Sequence, residues 1–212
     1  MLGVTLTCAA PAAFPAQPKL LAGYKEAVAA LDDVAPERRA QAVLWIASHG
    51  RMADQGLLLK RLRDEDEDVR GLAEQGLWRL WSRSGDSGID RLMASGMEHL
   101  QASRFDDAIA VFSEVIRRKP DFAEGWNKRA TVYYMAGDFK HSLADCDQVM
   151  KRNPNHFGAL SGYGQIYFLL GELEKAVEYW RRALQVNPNM PGVEVNLEGA
   201  EQLLKEKLGR SI

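Results

Sequence analysis

Pro120, Pro154 and Pro188 stand 34 residues apart, in the matched contexts Arg118-Lys119-Pro120-Asp121, Arg152-Asn153-Pro154-Asn155 and Val186-Asn187-Pro188-Asn189. A fixed period of this length marks a chain built from supersecondary units that stack on one another. A small residue lies 24 positions before each proline (Gly96, Ala130, Gly164), and a leucine or tyrosine follows three or four residues later (Leu100, Tyr133, Tyr167). Another small residue stands 12 before each proline (Ala108, Ser142, Ala176), with a bulkier one four residues on (Phe112, Cys146, Trp180). Spacings of three and four put these residues on one helical face. Ser103 to Asp106, Gly137-Asp138 and Gly171-Glu172 break the apolar pattern with turn chemistry, and each proline ends the helix before it because it has no N–H to donate. The unit is therefore helix, turn, helix, turn.

Three consecutive units follow, at 89–122, 123–156 and 157–190. Their pattern resembles the tetratricopeptide repeat, with Trp126, Ala130, Tyr133 and Pro154 the best marked set. Ser142 and Cys146 depart from the alanine and aromatic usual in the family, so the middle unit is expected to pack its second helix less tightly. Residues 191–212, opening with Pro191, read as a capping helix that solvates the end of the stack.

Residues 19–83 are also helical in pattern, with apolar periodicity over 19–31, 36–47, 53–63 and 67–82, but they do not repeat at 34. Within Leu62-Arg63-Asp64-Glu65-Asp66-Glu67-Asp68-Val69-Arg70, acids cluster just ahead of a helix start, where the macrodipole favours them. That run resembles a HEAT-like repeat, in which a loop aspartate and a helix arginine help stack successive units. The resemblance implies a HEAT-like layer capping the tetratricopeptide stack; a generic helical bundle is the other reading. The small, polar residues 84–88 mark a linker. The fold class expected is an all-α solenoid of helix-turn-helix repeats.

Composition narrows the function. With 27 basic and 29 acidic residues, the formal charge of -2 supplies no field to attract nucleic acid, and no apolar run is long enough to span a bilayer. Cys8 and Cys146 cannot form a disulfide framework, and His49, His99, His141 and His156 show no metal-ligand spacing. No cofactor loop or catalytic constellation is present, so no catalytic residue, metal or cofactor is assigned and the chain is read as a non-enzyme. Residues 1–18 carry no charge and look like the apolar end of a secretory signal or an Ala/Pro-rich tail, which makes an exported or periplasmic location the first expectation and a cytoplasmic one the alternative.

What the family resemblance implies is a protein-binding adaptor or scaffold, because the first helices of successive units line a concave groove. The residues opposite the packing positions are Met93, Met97, Asn127, Thr131, Tyr134, Ser161, Gln165 and Phe168, a mixed lining suited to a peptide or helix of a partner protein. The family's clamp for the C-terminal carboxylate of a chaperone tail falls on Met93, Met97, Lys128, Gly158 and Gly162, of which only Lys128 is cationic, so a chaperone tail is disfavoured. Two alternatives remain: self-association through Trp45, Trp78 and Trp81, and a HEAT-like lyase activity using Cys146 or a histidine.

Overall fold

A computed structural model of the chain describes residues 21–209. The Ala/Pro-rich segment 1–18, Cys8 and Arg210 to Ile212 lie outside the described residues. Among those described there are eleven α-helices and no strand: α1 (Tyr24–Ala30), α2 (Pro36–His49), α3 (Gln55–Arg61), α4 (Glu67–Trp81), α5 (Ser87–Gln101), α6 (Phe105–Arg118), α7 (Ala123–Met135), α8 (Phe139–Arg152), α9 (Phe157–Leu169), α10 (Leu173–Val186) and α11 (Pro191–Gly209). A short 3₁₀ turn, Met52–Asp54, precedes α3. The chain is an all-α solenoid.

The pairs α5/α6, α7/α8 and α9/α10 are the three units read from the sequence, and α11 packs on α10. Close helix approach explains the small-then-bulky pattern. A Cβ at Gly96 would fall 2.6 Å from the Phe112 ring, and one at Gly164 would fall 2.4 Å from Trp180, so the bulky side chain occupies the space an alanine methyl would need. In the middle unit the facing pair is Ala130 and Cys146, where the smaller sulfur side chain leaves room for that methyl. Polar bonds stitch this unit together. Ser142 Oγ donates to the Ala130 carbonyl at 2.8 Å, and Arg129 holds Asp145 with two bonds of 2.7 and 2.8 Å while also donating to Ser113 Oγ on α6.

The turns inside the units keep the same register. Ser103, Gly137 and Gly171 occupy equivalent places with φ of 56°, 78° and 75°, the left-handed region that lets the second helix double back. Helix α11 buries Val193 and Ala200 against α10 and turns Val195 and Leu203 outward, which fits a terminal cap.

Helices α1/α2 and α3/α4 form two pairs that share one core through Val43, Ile46, Leu58, Leu62, Val69 and Leu77. Asp64, in the loop before α4, ties them: Arg39 of α2 grips both its carboxylate oxygens, and Arg61 of α3 reaches one of them at 3.3 Å. Asp66 caps α4 by accepting the Val69 N–H at 3.0 Å, which gives the acidic run its local cause.

The layer expected to cap the stack lies along the edge formed by the turns between units. Trp78 and Trp81 pack on His156 and Phe157 at the second turn, with ring centroids 4.6 to 5.4 Å apart. At the third turn Arg63 donates to the carbonyls of Gln185 and Val186, Asn189 Nδ2 to that of Leu62, and Asn187 Nδ2 to Glu74 Oε2. The first turn faces the layer across a cavity. Trp78 and Trp81 are thus spent on a joint within the chain, which corrects the reading of them as an exposed dimer surface. The segment expected to be a linker is also pinned, because Ser84 is buried, its hydroxyl bonds Asp90, and α5 already begins at Ser87.

Candidate functional site

The inner face of the repeats carries a cavity of about 370 Å³ between α7 and α9, floored by α8. Asn127, Thr131 and Tyr134 enter it from one wall, Ser161 and Gln165 from the other, and Ser142 and Cys146 form the base. No charged side chain lines it. Repeated helical turns bring these residues together, since 127, 131 and 134 share one face of α7, and 161 and 165 share one face of α9.

Three residues expected here are elsewhere. Ile89, Met93, Gly96 and Leu100 make the buried stripe of α5, so Met93 is core, and Met97 packs half-buried on the same cluster. The ring of Phe168 lies 5.6 Å from that of Trp180, joining the core of the third unit. Conversely, Ala159 lines the cavity without having been expected to, beside Gly158 and Gly162, which stand at two of the clamp positions, and the clustering of small residues at the start of α9 was the available signal. Beside Gly162 the Cβ direction is open, with only Cys146 Sγ at 4.0 Å, so a ligand backbone can come close there.

Chemically the cavity offers hydrogen bonds rather than reactivity. Cys146 is 3% exposed, and burial, aided by the charges of Asp145 and Asp147, pushes its thiol up to about 12. A thiol so held is not a nucleophile at physiological pH. Asn127 is committed on one side, its Nδ2 lying 3.2 Å from both Glu124 carboxylate oxygens, while the exposed Thr131 donates to the Asn127 carbonyl.

Glu124 belongs to a buried joint that the sequence did not reveal. It accepts from His156 Nε2 at 3.1 Å and from Lys128 Nζ at 3.0 Å. Burial pushes its carboxyl up, but the hydrogen bond from His156 and the Lys128 ammonium outweigh that and hold it below the ordinary carboxylate value. His156 Nδ1 accepts the Ala159 N–H at 3.1 Å and so caps α9, which leaves the ring proton on Nε2 for Glu124. Lys128, the one cation at the positions of the chaperone-tail clamp, is therefore already paired inside the chain.

Two tetratricopeptide repeat family models match the chain, over residues 93–149 and 159–190. With the three stacked helix pairs, this decides what the repeats are. The repeat half of the chain consists of tetratricopeptide repeats. A TPR repeat-containing protein of Rhizobium etli is 35% identical over 82 residues, a match covering 39% of this chain and 39% of that protein. The chain thus matches about two fifths of that relative's length.

Solved tetratricopeptide structures superpose on the repeat half. The first TPR of Spaghetti (RPAP3) bound to the HSP90 peptide SRMEEVD matches at 25% identity with a TM-score of 0.54, covering 57% of this chain and 96% of that one. The Sgt2 TPR domain from Aspergillus fumigatus matches at 18% identity, TM-score 0.55, with coverage of 57% and 82%. The TPR2B domain of yeast Sti1 in complex with pHsp70 matches at 22%, TM-score 0.52, with coverage of 56% and 99%. The last two likenesses concern the fold. Among the described residues no helix is long and apolar enough to cross a membrane.

Proposed function

We propose that this tetratricopeptide protein is a non-catalytic adaptor that holds a peptide or helix of a partner protein in the groove between α7 and α9. The observation that carries the reading is the uncharged cavity of about 370 Å³ in which Asn127, Thr131, Tyr134, Ser161 and Gln165 converge. Amide and hydroxyl groups serve both the donors and the acceptors of a ligand backbone, and the Tyr134 ring supplies an apolar contact. The fold is one that relatives use for peptides, as in the complex with SRMEEVD. The occupant favoured here is different in charge. With Lys128 paired to Glu124 and Met93 in the core, the groove offers an acidic tail little purchase, and a neutral segment suits it better.

Crosslinking the tagged protein in its own cells, with a Tyr134→Ala/Gln165→Ala variant alongside, tests this. Capture of one dominant partner that the variant loses, at unchanged helicity and melting temperature, is the expected result. Capture that the variant leaves intact overturns the groove as the binding surface. The residence of the captured partner also decides between the exported and cytoplasmic locations expected from residues 1–18.

A further inference from the structure

A second cavity, of about 490 Å³, lies where the N-terminal layer faces the first two inter-unit turns. Its floor includes Trp81, Phe122 and Asn153, which are 4%, 7% and 0% exposed. Its charged lining is Arg51, Arg83, Lys119 and Arg152 against Asp121 alone. Arg83 donates to the carbonyls of Ala47 and Gly50 and Arg152 to that of Pro120, so these two hold the walls in place, while Arg51 and Lys119 stand at the rim.

Asn153 has an internal reference one repeat later. Both Asn153 and Asn187 are fully buried, and each turns its Oδ1 toward the N–H two residues on, at 3.3 and 3.0 Å. That bond fixes which way each amide faces. Asn187 then donates its Nδ2 to a carboxylate, Glu74 Oε2, at 3.1 Å. The Nδ2 of Asn153 has no acceptor among the described residues. At one turn the layer supplies the carboxylate; at the other it supplies a cavity with a surplus of cations.

The geometry points to a binding site for a small carboxylate with an apolar body: the carboxylate takes toward Asn153 the place that Glu74 takes toward Asn187, Arg51 and Lys119 balance its charge, and Trp81 and Phe122 cover the apolar part. The volume falls within the range of small-molecule pockets. The site is separate from the groove of the proposed function and does not depend on it. The same chemistry is found in a free organic acid and in the C-terminus of a peptide.

Calorimetric titration of the full chain at low salt tests it, using 4-phenylbutyrate for the free acid, acetyl-Leu-Phe for the peptide end, and the neutral amide of each as control. At least one acid binds in the millimolar range or better and its amide roughly tenfold more weakly, because the cations act on charge. Binding weakens as salt is raised. Arg51→Ala/Lys119→Ala, which removes the exposed Arg51 and half-buried Lys119 side chains at the rim, weakens it at least about fivefold at an unchanged melting temperature. The Asn153 side-chain amide resonances shift on titration in the parent protein, and the tighter acid assigns the source. Equal binding of acid and amide, no binding of any probe, or binding that the rim variant leaves intact overturns the proposal.

Discussion

His156 Nε2 lies 3.1 Å from Glu124 Oε2, and neither side chain is exposed to solvent. One residue opens the second unit and the other caps the first helix of the third, so the bond ties successive repeats together. His156 is also stacked at 4.6 Å on Trp81 of the N-terminal layer, which makes this the point where both halves of the chain meet. A charge buried this deeply is tolerated only while its partners stay in place.

Removing the Glu124 carboxylate is therefore expected to be costly. Glu124→Ala leaves the His156 N–H and Lys128 without their acceptor and lowers stability by about 3–5 kcal/mol, whereas Glu124→Gln, which keeps the shape, costs about 1–3 kcal/mol. The pH dependence has a definite sign. The folded carboxyl is held below its unfolded value, so its contribution is full above the unfolded value, near 4.3, and is lost as pH falls through the folded one. Denaturant melts of parent and Glu124→Gln should differ most at neutral pH and converge below pH about 4. A gap that widens on acidification contradicts the assignment.

The three equivalent turns carry a different test. Gly137 and Gly171 take a left-handed backbone without penalty, but Ser103 takes it with a side chain, at φ 56°. Ser103→Gly is expected to stabilise the chain by about 0.5–1 kcal/mol, and Gly137→Ala to destabilise it by at least about 1 kcal/mol. Thermal melts check both, and a loss of stability in Ser103→Gly would show that the serine side chain holds the turn.

The repeat half was legible because each unit meets the same neighbours, so packing needs such as Gly96 against Phe112 recur at one spacing. The site of the N-terminal layer was not. It rests on contacts such as Arg63 with the Gln185 carbonyl, 122 residues apart, which leave no period in the sequence. In the groove, Asn127, Thr131, Tyr134, Ser161 and Gln165 were found by taking the face opposite the packing positions. The same rule misplaced Met93, which sits four residues after Ile89 and seven before Leu100 on the apolar stripe of α5. The buried pair of Glu124 and His156 was hidden because a glutamate in a first helical turn and a histidine before a helix each have an ordinary local reading.

The close approach of paired helices predicts a specific coupling. Gly164→Ala places a methyl 2.4 Å from the Trp180 ring, and the ring is too rigid and enclosed to yield cheaply, so a loss of about 1–3 kcal/mol is expected. Trp180→Leu alone also destabilises, by opening a void. Combined, the methyl enters space the indole has left, and the double variant should lose less than the sum of the two by about 0.5–3 kcal/mol. Strict additivity in that cycle would mean the two residues are not in contact.

Cys146 gives the most direct check on the groove floor. Its thiol is 3% exposed and pushed up to about 12, so the thiolate that reacts with disulfide reagents is nearly absent at pH 8. In a Cys8→Ser background, which leaves Cys146 as the single cysteine, a thiol-reactive chromophore should label the native chain hundreds of times more slowly than the chain in denaturant, where the thiol returns to its ordinary value near 8.5. A groove ligand seated over Ser142 and Gly162 should slow the native reaction further by closing the approach. Fast native labelling would mean instead that α7 and α8 separate often enough to expose the sulfur, and the middle unit, held there by Ser142 and by Arg129 on Asp145, would then be the weak joint of the solenoid.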